Sequence, residues 1–188
     1  LNIAERDYFK GAKEGKATIG TPVKSKASGK PIVGVAMPVR SGSGEFVGAA
    51  VAVINTDFLS DKIAAVKLGK TGYAYVLNKA GVAIAHPKKE YILELDASKI
   101  EGMRELTANA LAARTGAEGY VFNNVAKIAG YAPVQSSGWS VIVTQDADER
   151  LEEAYAIRNF IVIIGLAFLA VTVLCIMYFS KFISNPIS

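Results

Sequence analysis

Cysteine, histidine and tryptophan each occur once in these 188 residues. Cys175 sits inside the longest apolar run, which leaves the rest of the chain without a disulfide. His86 has no second histidine, no cysteine outside that run and no carboxylate pair at fixed spacing to work with. Metal ligation and nucleophilic triads therefore lack partners, and no catalytic group, metal or cofactor is expected. A strand end held by a backbone hydrogen bond suits His86 better. A phosphate loop is missing too. Gly69-Lys70-Thr71 has the right ending, but the GxxxxGK[ST] pattern needs a glycine where Ala64 stands. The lysines are scattered and not interleaved with aromatics, so the net charge of +4 does not read as a nucleic-acid surface.

Apolar residues make up 51% of the chain and are concentrated near its end. FIVIIGLAFLAVTVLCIMYF, residues 160–179, runs for twenty residues without a charge. A helix of that length spans about 30 Å, the thickness of a bilayer's hydrocarbon core. A buried core helix seldom stays apolar all round for so long, and a signal peptide would sit at the other end. The expectation is one transmembrane helix. DADERLEEAYAIR before it carries five acids against two arginines, and Lys181 follows it. That asymmetry puts residues 1–158 on the periplasmic or extracellular side of the cell's inner (plasma) membrane. Residues 1–40 hold eight basic side chains against three acids, a surface that attracts small anions. The start at Leu1 instead of methionine reads as a fragment or a processed form.

Ahead of the span, alternating apolar runs and turn residues predict strands at 17–23, 31–40 and 46–54. SGSGE joins the last two into a hairpin in which Gly42 and Gly44 supply positive φ. NTDFLSDKIAAVKL, 55–68, reads as a helix capped by Thr56 or Asp57, with Phe58, Leu59, Ile63 and Val66 near one face and Gly69 closing it. Strands follow at 73–78 and 82–86, joined by Lys-Ala-Gly and ended by Pro87. A helix is expected around 99–113 with Ile100, Met103, Leu106 and Leu111, then strands at 119–124, 126–134 and 139–146. The sum is an antiparallel α+β fold: five strands and a helix in 69–146, and three strands in 1–54, as if a similar unit had lost its first half.

LGKTGYAYVLNKAGVAIAHP, 68–87, resembles the membrane-proximal module of double Cache sensor domains in both its glycine-aromatic and His-Pro landmarks. ERDYFKGAKEGK, the P…S…GKP spacing of 22–31, AMPV and GAAVAVI resemble the second half of that family's membrane-distal module. KFISNPIS, with Pro186, resembles the start of a HAMP linker. The resemblance implies PAS-like antiparallel sheets: an incomplete distal module with its connecting helix (1–68) and a proximal module (69–146). A juxtamembrane helix (147–159), the transmembrane helix (160–179) and the start of HAMP (180–188) follow. It further implies the sensor region of a methyl-accepting chemotaxis receptor, working as a homodimer and relaying ligand binding to cytoplasmic chemotaxis signalling proteins. A histidine kinase or diguanylate cyclase output is the alternative, and a membrane-anchored extracellular enzyme a remote one.

In that family the distal module binds the small molecule. The resemblance places Arg6 as its carboxylate-gripping arginine, with Tyr8 and Phe9 as the two following aromatics. A guanidinium holds a carboxylate bidentately and rings wall an apolar pocket. Val23 and Ser25 stand where amino-acid-binding members have tyrosine and aspartate, and Val53 replaces a strand aspartate. An α-ammonium would then lie unpaired in a closed pocket, at a cost of several kcal/mol. The expected ligand is therefore a small organic anion without an amine. Asp57 or Asp7 would restore an amino-acid site if the alignment with the family is shifted by a few residues.

Overall fold

The computed structural model describes residues 3–184, without the side chains of 150–154, 156 and 182–184. The chain divides into two compact units, Leu1–Ala147 and Asp148–Ser188. In the first, helix α1 (Asp7–Lys13) precedes the two-residue strands β1 (Thr18–Ile19) and β2 (Val23–Lys24). The long strands β3 (Pro31–Arg40) and β4 (Phe46–Asn55) and helix α2 (Asp57–Ala64) follow. Strands β5 (Lys67–Leu68), β6 (Gly72–Leu77) and β7 (Ala83–Ala85) lead through three short 3-10 turns to helix α3 (Arg104–Leu111). Strands β8 (Gly116–Phe122), β9 (Val125–Val134) and β10 (Trp139–Asp146) complete the unit.

Two antiparallel sheets result. In the first, β3 pairs with β4 from Ile32↔Asn55 to Arg40↔Phe46, the register shifting between Val39 and Arg40. Its other edge carries β1 (Thr18↔Ala36) and β2 (Val23↔Ile32) in succession. The second has the order β5-β6-β10-β9-β8, with β7 also on β6.

Side-chain alternation along β6 and β10 buries both faces of the second sheet. Tyr75, Leu77, Tyr120, Phe122, Tyr131 and Ile142 pack on one face against Met103, Leu106 and Ala110. Ala74, Val76, Val141 and Val143 pack on the other, with Ile84 and with Leu59 and Ile63 of α2. Each large apolar side chain buried in this way contributes about 1.5–3 kcal/mol.

Several expected boundaries move. Helix α2 stops at Ala64, because Lys67 and Leu68 pair with Tyr73 and Gly72 instead of continuing it. Gly69 (φ 60°) therefore turns β5 into β6 and closes no helix, and Phe58 and Val66 are exposed. Thr56 stands at the N-cap of α2, but its hydroxyl donates to the Pro31 carbonyl at 3.3 Å instead of capping. The 3-10 turns take up residues 97–103, so α3 starts at Arg104. Segment 17–23 is broken by Gly20-Thr21-Pro22 into β1 and β2. In the β3–β4 loop only Gly44 has positive φ. Asn123 and Asn124, expected in a strand, adopt φ of 50° and 61° as the turn between β8 and β9.

Helix α4 (Ala147–Ser184) begins directly after β10 and is unbroken through the described residues. Ile157–Lys181, 25 residues, is long and apolar enough to cross a membrane, and its side chains are exposed on every side. Pro186 and the end of the HAMP-like segment lie outside the described residues.

Candidate ligand-binding cleft

Helix α1 lies on the first sheet because two glycines admit Tyr8. A Cβ on Gly34 would stand 2.5 Å from Tyr8 Cε1, and one on Gly20 would stand 2.7 Å from Cδ1. Gly34 faces Val53 across the β3–β4 ladder. Between the start of α1 and this patch opens a cleft of about 340 Å³. Its polar wall is Glu5, Arg6, Asp7 and Thr21; its apolar wall is Tyr8, Val23, Ile32, Gly34 and Val53. That volume is at the small end of ligand pockets, roughly 300–1,000 Å³.

The charged groups of this wall differ in how far they are already committed. Glu5 binds Lys10 Nζ at 2.7 Å, and that hydrogen bond and charge hold its carboxyl below the usual range. Asp7 Oδ2 accepts from the Thr21 amide at 2.7 Å and the Thr21 hydroxyl at 2.6 Å, while Oδ1 accepts from the Tyr8 amide at 2.8 Å. Partial burial opposes ionisation of Asp7, but these hydrogen bonds outweigh it and lower its pKa. Neither carboxylate is engaged by Arg6. Among the described residues its guanidinium has neither a hydrogen bond nor an ion pair, although it lines the cleft.

Arg6, Tyr8 and Val53 line one cleft, and Phe9, Ser25 and Asp57 do not join them. The Phe9 ring packs edge-on against Phe46, with centroids 6.3 Å apart. The Ser25 hydroxyl closes its own turn, accepting from the Ala27 and Ser28 amides at 3.3 and 3.2 Å. Asp57 meets Asn55 Nδ2 at 3.1 Å and Lys30 Nζ at 3.4 Å, beside a separate cavity of about 190 Å³. Asp7, weighed in the sequence only as a substitute carboxylate, is in the cleft. Thr21 and Gly34 were not foreseen. A glycine inside a strand does signal close approach by another group, and Gly34 carries that signal. Nothing local announces Thr21, fourteen residues from its partner.

His86 follows β7 in the second sheet and is buried among Tyr73, Tyr75 and Tyr91, with ring centroids 4.9–5.8 Å away. Its Nδ1 accepts from the Lys88 amide at 2.9 Å. Burial lowers its pKa to about 4, and a ring nitrogen that accepts a hydrogen bond also suits the neutral imidazole. This is the strand-end role expected from the sequence.

The chain is 25% identical over 190 residues to the methyl-accepting chemotaxis protein McpA of Bacillus subtilis (strain 168), covering 99% of this chain and 27% of McpA. The chain thus spans about a quarter of the length of the curated relatives it matches. The ligand-binding domain of Mlp24, solved with asparagine, superposes with a TM-score of 0.61 at 25% identity, covering 79% of this chain and 58% of that one. The extracellular domain of mmHK1S-Z2, assigned as a histidine kinase, gives a TM-score of 0.70 at 23% identity, covering 80% and 59%. The profile of the Cache domain family, in its dCache_1 form, matches residues 1–154. With its two antiparallel sheets and a profile match over most of its length, the chain belongs to the Cache domain family.

Proposed function

We propose that this chain is the extracytoplasmic sensor region of a transmembrane chemoreceptor, and that the Arg6 cleft binds a small carboxylate. The observation that carries the ligand reading is that Arg6 and Tyr8 line one cleft while the Arg6 guanidinium has no hydrogen bond or ion pair among the described residues. A guanidinium in a partly apolar cleft gains a charge-assisted, bidentate bond when a carboxylate arrives. The receptor reading rests on the Cache profile, on similarity to McpA and on the apolar helix Ile157–Lys181. In this scheme residues 1–68 and 69–146 act as distal and proximal modules, and α4 carries the signal across the plasma membrane towards cytoplasmic chemotaxis proteins from a homodimer. A kinase output is the alternative, favoured by the likeness to mmHK1S-Z2.

A second ligand reading has its own observation. Asp7 lines the same cleft as Arg6, and a carboxylate has about four acceptor sites, of which three are in use. An α-ammonium would find its counter-charge there, and Mlp24 was solved with asparagine. Calorimetry of the chain in detergent micelles against amino acids and their amine-free carboxylates separates the two readings. Heat from the amine-free acids alone supports the anion. Heat from amino acids alone supports the zwitterion. Binding that survives Arg6→Ala would remove the cleft as the site.

A further inference from the structure

The Arg6 cleft has a neighbour. A second cavity of about 190 Å³ lies between the two sheets, and Asp7 and Thr21 line both. Its far wall belongs to the second sheet: the β6–β7 turn (Asn78, Lys79, Ala80) and the β9–β10 turn with Ser137 and Trp139. That far wall is internally braced. Asn78 Oδ1 accepts from the Ala80 and Val82 amides at 2.9 and 3.0 Å, and Ser137 Oγ accepts from the Trp139 amide at 3.3 Å.

The near wall is held more lightly. Thr21 sits between two strands of two residues each, so few ladder bonds secure it. Gly20 donates to the Gly34 carbonyl at 2.8 Å, and Thr21 itself is tied through Asp7, which binds both its amide and its hydroxyl. Asp7 in turn follows Arg6 directly in the chain. A ligand that pulls on Arg6, or that competes for the Asp7 carboxylate, therefore acts on Thr21, and Thr21 is the wall shared with the cavity under Trp139.

We propose that Thr21 is a positioning residue that, through its two bonds to Asp7, couples occupancy of the Arg6 cleft to the cavity at Trp139, where β10 begins. The coupling rests on the ligand reading above, but the wall itself exists without ligand. Signal can pass only if the ligand binds one placement of this wall better than another. From Trp139 the same strand runs to Asp146, and α4 starts at the next residue.

Trp139 is the only tryptophan in the chain, so the fluorescence reports on this one ring, which lines this cavity and also one beside Ala110 and Pro133. The test compares the chain in detergent micelles with its Thr21→Val, Thr21→Ser and Asp7→Asn variants, first without ligand. Acrylamide quenching of Trp139 is expected to rise by about 1.5-fold or more in Thr21→Val and Asp7→Asn, since each loosens the wall, and to stay near wild type in Thr21→Ser, which keeps the hydroxyl. The ligand stage uses L-alanine, L-asparagine and propionate as probes. The Trp139 emission change is read at saturation, established by calorimetry, so that altered affinity drops out. Thr21→Val should lose at least about half of that change and Thr21→Ser should recover it. Unaltered quenching in both Thr21→Val and Asp7→Asn overturns the proposal, as does a full emission change in Thr21→Val. If none of the probes binds the wild type, that result counts against the Arg6 cleft, and the ligand-free comparison alone decides the role of Thr21.

Discussion

The Tyr8 ring occupies the space above Gly34, where a Cβ would come within 2.5 Å of its Cε1 atom. The glycine and the ring are one fitted pair, and the cleft wall depends on both. Gly34→Ala should therefore displace Tyr8, costing about 1–3 kcal/mol by overpacking and weakening any ligand of the Arg6 cleft about tenfold or more. Gly48→Ala, on the neighbouring strand with open space around it, should be neutral or slightly stabilising. Chemical unfolding of both variants beside calorimetry checks the contrast. Equal effects at the two positions would count against a fitted pair.

The buried imidazole of His86 sets a pH window. Its folded pKa, lowered to about 4 by burial, lies below the ordinary value of 6.5, so the fold favours the neutral ring. The stability it contributes is complete above about pH 6.5 and is lost as pH falls towards 4, by about 2 kcal/mol after allowing for solvent screening. His86→Phe should flatten this slope between pH 6.5 and 4.5, above the range where Asp7 protonates. Urea unfolding at several pH values reads the difference. Parallel slopes for wild type and variant would show that His86 is not the source.

Near the same end of the second sheet, where Tyr73 neighbours His86, Lys127 and Asp146 face each other in register and form a partly buried ion pair. The Lys127 amine also lies 5.3 Å from the Tyr73 ring centroid, and the Asp146 amide donates to Thr71 Oγ1 at 3.1 Å. Removing one charge strands the other, so Lys127→Met should cost about 3 kcal/mol. The double variant Lys127→Met/Asp146→Leu should recover most of that loss, because an apolar pair leaves no buried charge behind. A thermal-shift comparison of the two variants decides. A double variant no better than the single one would mean that the lysine acts through its packing.

Much of this architecture was legible. SGSGE between two apolar runs is sufficient to specify the β3–β4 hairpin, and apolar runs bounded by turn residues mark β6 and β10 as strands, though not that both faces of their sheet are buried. Helix α1 was not legible, because ERDYFKGAKEGK carries two glycines and no clear apolar period. Tertiary contact stabilises it, through Tyr8 on Gly34 and through Gly11, where a Cβ would collide with Thr18. The site was half legible for a related reason. Spacing relative to other proteins pointed to Ser25 and left Asp57 as a substitute carboxylate, but the cleft includes the Gly34↔Val53 rung, two rungs from the Ile32↔Asn55 end of the ladder. Asp57 lies beyond that end, and Ser25 is taken by its own turn. Asp7 and Thr21 meet only once α1 has packed on the sheet, which no local pattern encodes.

Strand β4 has β3 as its only strand neighbour among the described residues. Its ten residues, FVGAAVAVIN, include neither proline nor a charge, the two commonest guards of a sheet rim. Amide and carbonyl groups along such a rim are chemically anonymous: they accept any extended backbone that comes alongside. Selectivity for whatever settles there must come from the side chains next to it, and Val53, exposed on β4, belongs also to the wall of the Arg6 cleft. The rim of the first sheet and the wall of the cleft therefore share one residue.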